Sequence, residues 1–182
     1  MAVSRVKEKM KIEQSGEPVG EVLSLALAKQ HCRVRHGDDD VILHHYLEAA
    51  VDWVERACQT VFRETEFTAK GADFDLNFKG YPNADILSVA YVDPLGVPGT
   101  VTDFEIRDGA LYIEAAPEIS TATVVFKAGL GAGNIPPKLV QACLLLIASF
   151  YLHRADVTAD MTGSVPMGVK AMVAMHRSFV FA

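Results

Sequence analysis

The segment from Pro136 to His153 limits the choice of fold more than any other stretch of the chain. Two prolines open it, and "LVQACLLLIASFYL" follows, apolar on nearly every face. Proline suits the first turn of a helix, where its missing N–H costs nothing. A helix with no polar side must be buried on most faces, within its own subunit or partly against another. The apolar run Leu139–Leu152, broken by Gln141 and Ser149, is 14 residues long. That falls short of the roughly 18–20 residues a membrane span needs. No membrane partner is therefore expected.

A second helix is as clear. From Asp40 to about Thr60, Leu43, Leu47, Ala50, Val54, Ala57 and Val61 recur at helical spacing, and Ile42, Tyr46, Ala49 and Trp53 widen the stripe. Upstream, Ser24 is placed to cap a short helix, "SLALAKQHCRV", with Gly37 as its terminator and Asp38 or Asp39 capping the next. Between about Val61 and Phe126 the period changes. "VFRETEFTA", "DILSVAYVD" and "STATVVFKAG" read as strands, and "DFEIRDGALYIE" sets Asp108-Gly109 between two alternating runs, a hairpin signal. A short closing helix, "VKAMVAMHRSF", follows a polar stretch.

The expected fold class is α+β: a mostly helical subunit with two N-terminal and two C-terminal helices, and an antiparallel β unit of about five or six strands inserted between them. Residues 1–21 form a flexible N-terminal arm and residues 22–182 one domain, with helices over 22–61, the β unit over 62–128, and a glycine loop, buried helix and closing segment over 129–182.

Half of the residues are hydrophobic and 22% are charged, as in an ordinary folded protein. The formal net charge of −6 is unevenly spread. Residues 62–128 hold five basic and eleven acidic side chains, while residues 129–182 hold four basic and two acidic ones. No basic stripe of a sequence-reading DNA binder is present. Cys32, Cys58 and Cys143 are too far apart for a zinc site and odd in number, so they read as thiols in a reducing compartment.

Candidate chemistry is sparse. Gly129, Gly131 and Gly133, between a strand and a helix, suggest a phosphate cradle. A Walker loop, however, needs Lys-Ser/Thr where this chain has Asn134-Ile135-Pro136-Pro137, and a dinucleotide loop needs a parallel βαβ setting. A hinge between the β unit and the buried helix suits them better. His31, Cys32, His36 and Asp38–Asp40 lack a second close-spaced ligand pair, so no metal is expected. His44 and His45 point about 100° apart on their helix. No catalytic group, cofactor or metal site follows, and the chain does not read as an enzyme. Trp53, Leu144, Ile147 and Tyr151 are expected in core or subunit–subunit packing. The closing segment, with Met161, Met167, Met172 and Met175 followed by Phe179 and Phe181, is either subunit core or an adaptable docking surface.

Four stretches in order resemble the small head–tail connector, or adaptor, proteins of tailed phages, prophages and gene transfer agents. They are "LSLALAKQHCRVRHGDDDVILHHYLEAAVDWVER", "ILSVAYVDPLG", "VVFKAGLGAGNIPPKLVQACLLLIASFYLHR" and "VPMGVKAMVAMHRSF". The resemblance spans about Val22–Phe179. It implies a virion protein, assembled in the bacterial host cytoplasm, that forms a ring with itself, commonly twelvefold. Such a ring joins the portal protein to the stopper or tail-completion protein, and double-stranded DNA passes through its lumen without sequence-specific binding. On this reading Met167, Val169, Met172, Met175, Arg177, Phe179 and Phe181 dock on the portal. Two alternatives stand beside it: an enzyme binding a nucleotide or small molecule through Gly129–Gly133, and a general cytosolic interaction domain.

Overall fold

A computed structural model describes residues 10–153 and 165–177. The elements in chain order are β1 (Lys11–Gln14), α1 (Leu25–Cys32), α2 (Asp40–Cys58), β2 (Thr65–Gly71), β3 (Asp85–Val92), β4 (Pro98–Val101), β5 (Glu105–Arg107), β6 (Ala110–Tyr112), β7 (Thr121–Ala128), α3 (Pro137–Leu152) and α4 (Met167–Ala174). The fold is α+β, as the periodicity implies. It divides into two compact units, residues 1–19 with 64–129 and residues 20–63 with 130–182.

The β unit is built on an antiparallel five-stranded sheet in the order β1-β2-β7-β3-β4, with β5 and β6 as a separate hairpin. The alternation of β2 and β7 aligns one apolar face: Phe67 lies opposite Phe126, and Ala69 opposite Val124. All four are buried. Phe78 and Tyr81 approach the Phe126 ring edge-on at 5.0 and 5.4 Å, an arrangement that suits the ring quadrupoles. The 76–78 segment is held over this core by backbone bonds to the small hairpin, Phe78 N–H to the Gly109 carbonyl at 2.8 Å and Leu111 N–H to the Leu76 carbonyl at 2.9 Å. Asp108 and Gly109 both have positive φ, 51° and 75°, as the expected two-residue turn requires.

The helical unit buries Leu43, Leu47, Val51, Val54 and Cys58 of α2 against Leu139, Cys143, Leu146 and Ile147 of α3, with Val169 and Val173 of α4 completing the core. The Ser24 hydroxyl accepts from Leu27 N–H at 3.2 Å and caps α1.

Two sequence expectations are corrected. Residues 11–14 are no part of a flexible arm. They form edge strand β1, paired with β2 from Lys11–Lys70 to Gln14–Phe67. Residues 1–9 lie outside the described ones. Next, α1 ends at Arg33, which takes the left-handed conformation at φ 59° and donates to the Gln30 carbonyl, four residues before Gly37. Beyond these, Pro98–Val101, "PGTV", on which the sequence carries no expectation, pairs with β3 as strand β4. Its proline and glycine are tolerated because β4 lies on a sheet edge.

Candidate functional site

The glycine loop is held by its own backbone. Gly129 N–H donates to the Pro82 carbonyl at 2.8 Å, Leu130 N–H to Val61 at 3.1 Å and Gly131 N–H to Phe62 at 3.0 Å. Asn134 N–H closes a turn onto the Gly131 carbonyl at 3.2 Å. A phosphate cradle needs these amides free, so the loop is not built as one. Gly131 and Gly133 sit at φ 81° and 89°, where a side chain would be strained. The division between the two units falls between Gly129 and Leu130.

The His-Cys-Asp cluster is put to structural use. Lys29 Nζ lies 2.6 Å from Asp40, and Tyr151 donates its hydroxyl proton to Asp39 at 2.5 Å. Asp39 thus stands at the start of α2 without a side-chain cap bond. Its carboxylate instead ties the start of α2 to the end of α3. His36 stays 3.8 Å from Asp38 and 3.9 Å from Asp39. Among the described residues no group of three or more His, Cys, Asp or Glu is placed to hold a metal. His44 and His45 are exposed. Glu48, three residues on from His45, pairs with Arg63 at 2.9 Å.

Glu55 accepts from Phe62 N–H at 2.6 Å and so fixes the segment leaving α2. Burial pushes its carboxyl above the usual range, against the opposing pull of the Phe62 amide and the Arg63 charge. Burial likewise pushes the Cys58 thiol up to about 11 and the Cys143 thiol up to about 12. Both cysteines are inert core residues.

The packing residues fall within one unit. Leu144 and Ile147 are buried in the helical core, and Trp53 and Tyr151 pack half-buried against it. The docking set splits. Val169 is fully buried and Met172 packs on the core, so both serve the subunit interior. Met167, Met175 and Arg177 are exposed. Phe179 and Phe181 lie outside the described residues.

The helical unit also exposes apolar groups on α2 and α3 that the sequence did not single out. Lys138 Nζ, at the start of α3, lies 4.0 Å from Met175 Sδ at the end of α4. Leu152 and Val41 are 76% and 86% exposed, beside the 85% of Met167 from the docking set. Val41 falls off the α2 stripe, the one sequence sign that it would face outward.

Charge divides with the units. Over the described residues, the β unit carries 13 acidic and 5 basic side chains, and the helical unit 7 acidic and 8 basic. A depression of about 430 Å³ on the β unit is lined by Tyr91, Pro98, Gly99, Thr100, Thr121 and Thr123 among others. Those groups can hold an apolar side chain or a polar backbone. They offer no nucleophile paired with a base.

No family profile matches the sequence, and no curated protein matches it. Solved structures do. A chain of the virion of a native gene transfer agent (GTA) particle is 25% identical, with a TM-score of 0.73 over 95% of this chain and 98% of that one. A chain in the neck of a native GTA particle with C12 symmetry is 25% identical, with a TM-score of 0.65 over 92% and 97%. A chain in the neck of an empty GTA particle with C6 symmetry, 24% identical, shares the fold with a TM-score of 0.71 over 95% and 98%. These matches cover the β unit and the helical unit together, and none of the three is named for a catalytic activity. From end to end the chain is similar to components of gene transfer agent particles and their necks, as the connector-like series of motifs in its sequence implies.

Proposed function

We propose that this protein is a structural subunit of a head–tail adaptor ring in a gene transfer agent or tailed-phage particle. Twelve copies stand between the portal and the stopper or tail-completion protein, and double-stranded DNA passes through the lumen. The observation that carries this reading is similarity over nearly the whole chain to parts of neck assemblies with sixfold and twelvefold symmetry. The charge division supports it: an acidic β unit turned toward the lumen would keep phosphate from sticking. A role in assembly, and not in catalysis, fits a glycine loop whose amides are already bonded.

Portal docking falls to Met167, Met175 and Arg177, the exposed members of the C-terminal set, with Phe179 and Phe181 beyond them. Gly129, Gly131 and Gly133 act as the joint that lets the subunit adjust as it packs into the ring. Assembly takes place in the bacterial host cytoplasm.

Cryo-electron microscopy of purified particles tests the reading. Density for this chain in a ring between portal and tail is the expected result, and its absence from the particle would overturn the proposal. Portal capture by a chain lacking Met167–Ala182 tests the docking segment, and undiminished capture removes it. A general cytosolic interaction domain would have no such place in a particle.

A further inference from the structure

The five-stranded sheet has two edges of opposite character. On β1, Lys11 and Glu13 are exposed and paired with each other at 2.6 Å, the kind of charge that discourages strand addition. On β4 the sequence is Pro98-Gly99-Thr100-Val101, without a charge, and among the described residues β4 pairs with β3 alone. The 430 Å³ depression opens beside this edge. The tip of the β3–β4 hairpin adds apolar surface, with Leu95 88% and Val97 57% exposed. Asp93 makes that tip rigid, its Oδ1 accepting from Leu95 N–H and Val97 N–H, each at 2.8 Å.

We propose that the β4 edge receives residues 1–9 of a second copy of this chain as an added strand. This segment, "MAVSRVKEK", lies outside the described residues and supplies what the edge lacks. Val3 and Val6 face opposite sides of an extended strand, so either register puts one valine on the side of the depression, and Arg5, Lys7 and Lys9 against Glu8 give the segment a net charge of +2. The receiving unit holds 13 acidic against 5 basic side chains, a net of −8.

Reach decides between a copy's own segment and a neighbour's. The segment leaves from β1, four strand spacings from β4. The added strand lies one spacing further, so at about 4.8 Å each the crossing is about 24 Å, which uses about seven extended residues at about 3.4 Å apiece. About two would remain, too few to pair along β4. A neighbour's segment needs no such crossing. Donation from the β1 side of one copy to the β4 side of the next is a head-to-tail contact, the kind that closes into rings. The inference deepens the ring proposed above and rests on the chain assembling with itself.

Cysteine cross-linking tests it in the full chain with Cys32 replaced by serine. One preparation carries a cysteine at Val3, Ser4, Arg5 or Val6 in turn, and the other carries Thr100→Cys. Mixed and mildly oxidised, at least one pair is expected to give a covalent dimer, since a disulfide requires Cα atoms within about 7 Å. The matching double variant should give a ladder of oligomers. Cross-link yield should fall several-fold as salt rises from about 50 to about 500 mM, because the attraction is partly between exposed charges. A double variant that closes only on itself, or no cross-link at any of the four positions, overturns the proposal. The neck reading is judged separately: a ring in particles without the cross-link removes strand donation alone, and a cross-link in a protein missing from particles removes the neck reading alone.

Discussion

At the scale of single residues, buried polar groups were the least legible part of the sequence. Glu55 lies on the polar side of the α2 pattern, yet it turns inward to accept from Phe62 N–H. Only the tertiary path of residues 59–63 creates that partner. Burial raises the Glu55 carboxyl above its usual value of 4.5, so folding favours its protonated form. The stability this group contributes is therefore full below its ordinary pKa and is lost as pH rises through its higher folded value. Glu55→Gln keeps an acceptor for Phe62 and removes the buried charge. Thermal melts from pH 4 to 8 should show a variant at least as stable as the parent at pH 7, with a shallower decline between acid and neutral pH. A clear loss at pH 7 would mean that the attraction of Arg63 outweighs desolvation.

The thiols give a second residue-scale test. With Cys58 and Cys143 buried and their pKa values raised to about 11 and about 12, neither presents a thiolate at neutral pH. Cys32 is half-buried and also raised by burial. A thiol reagent at pH 8 should label at most one cysteine, Cys32, in the native protein and three after denaturation. Fast labelling of more than one in native buffer contradicts the packing described for α2 and α3.

At the scale of elements, long periodic segments were the legible part. α2 and α3 follow their apolar stripes, and the β5–β6 hairpin follows from Asp108-Gly109. The short edge strands β1 and β4 were not legible, since "KIEQ" and "PGTV" hold too few apolar residues to show a period of two. Their pairing is imposed by β2 and β3. Helix ends were equally hidden: Arg33 and Gln59 both take left-handed caps, at φ 59° and 55°, where glycine is the usual residue. Gln59 is exposed and its backbone N–H already donates to the Arg56 carbonyl at 3.2 Å. Gln59→Gly keeps that backbone bond and should relieve the strain, raising stability by about 0.5–1 kcal/mol. Urea unfolding checks this, with a higher midpoint and an unchanged slope expected. The β3–β4 turn should respond in the other direction. Asp93→Ala leaves two amides at an exposed tip without their shared acceptor, and a loss of about 1 kcal/mol is expected from the same measurement.

At the scale of the whole molecule, the sequence showed an acidic middle, and the structure assigns that acidity to a folded unit. The division is sharper than the chain segments suggested. Residues 10–19 join the β unit with two acids and one base, Arg63 leaves it for the helical unit, and the described residues come to −8 and +1. This could not be read from order along the chain, because the chain passes between the units at 19–20, 63–64 and 129–130. The proposed lumen makes the balance testable without a particle. At about 100 mM salt the isolated protein should leave duplex DNA unshifted in a gel, because binding to the phosphate backbone draws on released counterions that an acidic surface cannot replace. Changing Asp103, Glu105, Glu114 and Glu118 to lysine would bring the β unit from −8 to 0, each substitution adding two charges. All four side chains are exposed, so the fold should survive, as circular dichroism would verify. If the acids act by repelling phosphate, the variant should retain DNA at low salt and lose it steeply as salt rises. In particles it should slow DNA release while leaving the ring assembled. DNA binding by the unaltered protein, or a variant that behaves like it, would separate the acidity of the β unit from any role in the passage of DNA.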